Sequence, residues 1–203
     1  MDPAKFRETL RKSTEATSRD MLSISEKAIK KEQDSEDYFN YEAHYKSHLY
    51  HTLLSNGVSY EDLHPEWRPS KQKVAGNHID LWYLDPEREY NFLIEVKQVY
   101  GMNRAGDDIR GTDYIVRYTN SKKIKSGIIK DVIKLSDSCG IREEYHGVML
   151  VFWADPKVRE NLDLDAVRNS VIEQVRRERP RARTTRVELL WSSSRATEYR
   201  QLS

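Results

Sequence analysis

The segment Phe92-Leu-Ile-Glu-Val-Lys97 constrains the fold more than any other part of the chain. It follows a turn at Asp85-Pro86-Glu87 and reads as a strand whose residues other than Glu95 and Lys97 are apolar. Side chains two apart on a strand share a face, which sends Glu95 and Lys97 the same way. A carboxylate and an ammonium inside such a strand are costly to bury unless they are paired or put to use. A second apolar run, Ile79-Asp-Leu-Trp-Tyr-Leu84, precedes the turn, and the two runs read as a hairpin. That hairpin returns Asp80 to the side of Glu95. Two adjacent carboxylates repel, and a divalent cation between them relieves the repulsion; Mg²⁺ prefers such oxygen ligands. The competing reading is an ordinary Glu95–Lys97 surface pair on an edge strand, with Asp80 as a turn acid.

The remaining periodicity supplies the frame around this hairpin. Residues 4–33 are polar with sparse apolar positions and read as one or two lightly packed amphipathic helices, an N-terminal helical extension over 1–35. Residues 36–55 form a stronger helix, stopped by Asn56-Gly57. Pro65 and Pro69 bracket an irregular segment or short strand. Residues 101–120, with Gly101, Gly106 and Gly111, form a long loop of the kind that is functional or mobile. A helix over 121–136, a buried strand over 147–153, a helix over 163–179 ended by Pro180, and a strand over 186–191 follow. The pattern predicts an α/β domain over 36–203, a central mixed sheet flanked by helices.

A third acid is out of place. At about 100° per residue, Tyr38, Glu42, Tyr45, Leu49 and Leu53 share one stripe of the 36–55 helix. Glu42 therefore falls on the face that meets the core, where a solvated helix acid would not be.

Charge and cysteine content remove several classes. The chain of 203 residues has 34 basic and 33 acidic side chains, which argues against binding nucleic acid by bulk positive charge. The balance conceals a split. Residues 61–120 carry 8 basic and 11 acidic groups, and residues 121–203 carry 17 and 12. Cys139 is the single cysteine, so neither an internal disulfide nor a multi-cysteine zinc site can form, and a reducing, cytoplasmic setting is expected. No apolar stretch is long enough for a membrane span, and no secretory leader is expected from the charged N-terminus. No GxxxxGK loop is present to support ATP hydrolysis.

Glu42 on a leading helix, Asp80 on one strand and Glu95-Val-Lys97 on the next resemble the PD-(D/E)XK nuclease superfamily, over roughly residues 38–153. The resemblance implies a restriction-endonuclease-like core of helix, three strands, helix and strand. It implies that Asp80 and Glu95, with Glu42, hold Mg²⁺ (Mn²⁺ as a substitute) and that Lys97 assists the attacking water. Ile79 stands where the family often has proline. The expected activity is Mg²⁺-dependent endonucleolytic hydrolysis of DNA phosphodiesters. One such site cuts one strand, so a double-strand cut needs a homodimer or two successive nicks. The alternative is a non-catalytic nucleic-acid-binding or assembly subunit of a larger defence or recombination complex with the same fold; RNA is a further possible substrate.

Secondary candidates surround this constellation. Lys123, Lys130 and Lys134 share one side of the 121–136 helix and suit phosphate contact, or simply a solvated face. Arg104, Arg110 and Arg117, interleaved with tyrosines on the glycine-containing loop, suit backbone contact and base stacking. His44, His48 and His51 form a stripe that more often faces solvent than a metal. The arginines from Arg176 to Arg183 crowd Pro180, and Cys139 reads as structural.

Overall fold

The computed structural model describes residues 1–31, 41–67, 78–87, 89–99, 127–153, 164–182, 184–192 and 197–202. It contains four α-helices among these residues: α1 (Pro3–Lys31), α2 (Tyr41–Ser55), α3 (Ile128–Cys139) and α4 (Leu164–Glu178). The strands are β1 (Leu63–Trp67), β2 (Ile79–Leu84), β3 (Asn91–Val99), β4 (Tyr145–Trp153), β5 (Val187–Ser192) and β6 (Thr197–Gln201). They form one six-stranded sheet in the order β1-β2-β3-β4-β5-β6. The β1–β2, β2–β3 and β5–β6 pairs are antiparallel; β3–β4 and β4–β5 are parallel. This is an α/β protein with a mixed sheet and flanking helices. The order α2, three strands, α3, β4 is the one the sequence leads one to expect.

Strand alternation divides the apolar residues between two cores. Phe92, Ile94 and Val96 of β3 pack with Phe6, Leu10, Tyr45 and Leu49 of α1 and α2. Leu93 packs on the opposite face, with Ile128, Val132 and Leu135 of α3 and Val167, Val171 and Val175 of α4. β3 and β4 pair over nine residues and hold the centre of the sheet, where continuous apolar runs belong. Gly147 of β4 lets α3 settle closely. A Cβ there would meet Leu135 Cβ at 3.1 Å and Val187 Cγ2 at 3.2 Å.

Three differences from expectation have physical causes. First, the expected N-terminal helix, α1, is not lightly packed but contributes to the core. Phe6 stacks on Tyr83 with ring centroids 4.0 Å apart and lies 4.7 Å from Phe92. Its middle turns bury Ser13, Thr14, Thr17 and Ser18, small hydroxyl residues that allow close approach. Ser18 Oγ lies 2.9 Å from Tyr45 Oη and 2.6 Å from Ser192 Oγ. Arg7 pairs with Glu188 at 2.8 Å, and Tyr199 Oη donates to the Arg7 carbonyl. Second, β6 is present although four of its five residues are polar, because an edge strand buries little; Thr197 is buried and Tyr199 packs partly against the core. Third, the short strand allowed for between Pro65 and Pro69 begins earlier: β1 covers Leu63–Trp67 and runs through Pro65, which an edge strand tolerates. The expected end of α2 is observed: Gly57 adopts φ +89°, the left-handed conformation that glycine accommodates. Residues 101–120 lie outside the described residues.

Candidate active site

The β1–β2–β3 antiparallel pairings align three acids. β1 and β2 pair Pro65 with Leu81 and Trp67 with Ile79, which sets Glu66 against Asp80. β2 and β3 pair Leu81 with Ile94 and Trp82 with Leu93, and the same register sets Asp80 against Glu95. Like charges opposed across strands are destabilising, and the local structure answers in two ways. Glu66 leaves regular strand geometry: its φ is +50°, and among the described residues it is the one non-glycine residue with positive φ. Such backbone costs on the order of 1–3 kcal/mol and gathers at functional sites. The second answer is a set of lysines.

Lys46, one turn beyond Glu42 on α2, donates to Asp80 Oδ1 at 3.0 Å and lies 3.7 Å from Glu66 Oε1. Lys134 of α3 lies 2.5 Å from Glu95 Oε1 and 3.7 Å from Asp131 Oδ1, and it donates to the His78 carbonyl at 3.0 Å. Lys97 stands 3.6 Å from Glu42 Oε2 and 3.6 Å from Asp131 Oδ2. The Val96 backbone N–H donates to Asp80 Oδ2 at 2.8 Å and fixes that carboxylate to the strand. Among the described residues, five acids and three lysines thus alternate where the start of β2 meets the later part of β3, beside the N-terminus of α3. Asp131 occupies the first turn of α3, where the helix dipole favours an acid.

Glu95 is the most perturbed of these acids. It is 4% exposed. Burial, then the nearby Asp80 carboxylate, push its pKa up to about 8, while Lys134 pulls the other way. Its Oε1 has the Lys134 ion pair but no hydrogen bond of good geometry. Burial opposes the charge on Lys46 as well, but Asp80, Glu42 and Glu66 outweigh it and hold the ammonium above its ordinary range.

The structure places six of the sequence candidates, Glu42, Asp80, Glu95, Lys97, Lys130 and Lys134. Asp80, Glu95 and Lys97 come together, and β3 is a central strand with Glu95 buried, so the edge-strand surface pair is not what the chain builds. Glu42 joins through Lys97 instead of pointing into the apolar core. It lies in the first turn of α2, and its side chain is 28% exposed. Lys130 is exposed on the outer side of α3. Lys134 was expected beside it for phosphate contact; it turns inward to the acids. Lys123, Arg104, Arg110 and Arg117 lie outside the described residues. Lys46, Glu66 and Asp131 had not been singled out. The Glu42–Lys46 spacing of i, i+4 reads on sequence as an ordinary surface pair, and Asp131 reads as a routine first-turn acid. Among the described residues the histidine stripe forms no metal-ligand set: His44 and His51 are exposed, and His48 lies 2.9 Å from Asp20. Burial pushes the Cys139 thiol up to about 12, which suits a packing role.

The cluster's oxygen donors are of the kind Mg²⁺ takes, and buried Glu95 beside Asp80 is a charge arrangement a cation relieves. Among the described residues, no three His, Cys, Asp or Glu side chains converge as a metal-ligand set. Asp80 and Glu95 are the two carboxylates a cation would have there, with Glu42 farther off behind Lys97.

No protein-family model and no curated protein matches the sequence. Among solved structures, SfsA from Pyrococcus furiosus, in complex with Ca²⁺, aligns at 15% identity with a TM-score of 0.34, covering 78% of this chain. The chain spans 63% of that protein. A similarity this low carries no functional inference. Among the described residues, no helix is long and apolar enough to cross a membrane.

Proposed function

We propose that this protein is a metal-dependent endonuclease that hydrolyses DNA phosphodiesters. The observation that carries the reading is Asp80 set against buried Glu95 on two adjacent apolar strands, with Lys97 two residues farther on. Asp80 and Glu95 hold the divalent cation, Mg²⁺ or Mn²⁺, and Glu42 supports the site from the start of α2. The cation, when bound, neutralises charge on the scissile phosphate and lowers the pKa of water. Lys97 presents a positive charge where the attacking water would sit, and Glu42 and Asp131 orient it. Lys130, on the exposed side of the helix that borders the cluster, offers a phosphate contact.

A second reading has its own observation. The lysines already neutralise much of the acid cluster, and no metal-ligand set forms among the described residues. A non-catalytic DNA-binding or assembly subunit would look this way. Incubation with plasmid and with single-stranded DNA in Mg²⁺ separates the two. Cleavage that Asp80→Ala or Lys97→Ala reduces by at least a hundredfold supports the hydrolase. Cleavage unaffected by both substitutions refutes it, and absence of both cleavage and Mg²⁺ binding favours the subunit.

A further inference from the structure

Lys134 is not among the four residues that carry the proposed reaction, yet its ammonium sits among the buried acids. The side chain is 13% exposed, and three oxygens surround its Nζ: Glu95 Oε1, Asp131 Oδ1 and the His78 carbonyl. Two carboxylates and one carbonyl around a cation form an oxygen donor set of the kind hard metal ions use. A buried ammonium is costly unless such oxygens replace its water.

The charges of the cluster sharpen the point. Glu42, Glu66, Asp80, Glu95 and Asp131 face Lys46, Lys97 and Lys134. With all eight of these described groups ionised, the cluster is two positive charges short of neutrality, the charge of one divalent ion. Asp80 has the Val96 N–H and Lys46 as fixed partners. Among the described residues, Glu95 has Lys134 alone as an ion-pair partner, and its Oε1 makes no hydrogen bond of good geometry. A cation bound between Asp80 and Glu95 must therefore meet the Lys134 ammonium on the Glu95 side.

We infer that Lys134 is a resident counter-cation of this site, a positioning residue that holds Glu95 and Asp131 while no metal is present and yields Glu95 when a divalent ion enters. The inference rests on the hydrolase reading of the cluster and adds to it a control on metal loading: the lysine's contact with Glu95 competes directly with the ion. The long, flexible lysine stem permits the exchange without movement of α3, since Asp131 and the His78 carbonyl remain as partners.

Calorimetric titration of metal-free protein with MgCl₂ tests this. The set is wild type, Lys134→Met, Lys134→Gln, Lys134→Arg and Asp80→Ala. The Gln variant can still donate to the His78 carbonyl, so a folding defect of the Met variant, seen by circular dichroism, leaves a second neutral form. The neutral variants are expected to bind Mg²⁺ about tenfold tighter than wild type, the scale of repulsion between a divalent ion and one ammonium about 6 Å away in a water-like dielectric. Lys134→Arg keeps the charge and is expected within about twofold of wild type. A lysine that only braces the structure gives the opposite sign, with looser binding in the neutral variants. Unchanged or weaker binding in folded neutral variants overturns the inference, while loss of binding in Asp80→Ala leaves the hydrolase reading standing. Absence of Mg²⁺ binding by wild type overturns both.

Discussion

Replacing Glu95 by Gln isolates the most perturbed ionisation of the cluster. The side chain keeps its size and loses its titration. In the folded protein the Glu95 carboxyl is raised from 4.5 to about 8, by burial first and Asp80 second. The folded state therefore holds a proton that the unfolded chain releases between those values. Folded protein binds more protons than unfolded there, so stability falls as pH rises. The contribution is complete below about 4.5, declines from 4.5 to 8, and is lost above 8. At ~1.36 kcal/mol per pH unit, the whole span corresponds to roughly 4–5 kcal/mol, of which about 4 lies above pH 5. The assay is urea unfolding followed by tryptophan fluorescence from pH 5 to 9 in EDTA, for wild type and Glu95→Gln. The stability of wild type relative to the variant should drop by about 4 kcal/mol across that range, with the variant gaining the advantage at alkaline pH. Other titrating groups are common to both proteins and cancel to first order. Added Mg²⁺ at pH 8.5 should restore wild type and leave the variant unmoved. A difference that stays constant within 1 kcal/mol from pH 5 to 9 refutes the assignment of a buried, acid-opposed carboxyl at position 95.

Two further predictions concern the frame that holds the site. Phe6→Ala removes a fully buried ring stacked on Tyr83 and should cost about 3–5 kcal/mol in urea unfolding; a change below 1 kcal/mol would return α1 to the status of an appendage. Gly147→Ala places a methyl 3.1 Å from Leu135 Cβ and 3.2 Å from Val187 Cγ2. It should cost about 1–3 kcal/mol, measured by thermal melting, with neutral behaviour showing that α3 can shift freely.

What the amino-acid pattern disclosed follows the strength of each signal. The β2–β3 hairpin was legible because both strands are nearly continuous apolar runs around a proline turn, and any charge inside them stands out. Asp80, Glu95 and Lys97 were visible for that reason. The buried role of α1 was not, because much of its inner face is Ser13, Thr14, Thr17 and Ser18, which hydropathy scores as polar. β6 was hidden by edge-strand polarity. Lys46 and Lys134 were illegible as site residues because helical periodicity assigns lysines to solvent. Acids of the sheet draw them inward, and those acids come from three separate strands, β1, β2 and β3. Glu66 has no local mark at all; its importance comes from strand register with Asp80, which depends on how β1 pairs.

The ties of α1 to β5 and β6 also set an order of events in the making of the molecule. Arg7 and Tyr199 are joined by a hydrogen bond across 192 positions of sequence. At ~5–20 residues per second of synthesis, the partners of the first helix leave the ribosome roughly 10–40 s after it does. Until then the hydroxyl face of Ser18 lacks Ser192, and Arg7 lacks Glu188. Helix α1 thus gains its last anchors only once β5 and β6 are made. A nascent chain stalled before β5 would hold it by Phe6 on Tyr83 and Phe92 and by its packing on α2, with its ties to β5 and β6 still unmade.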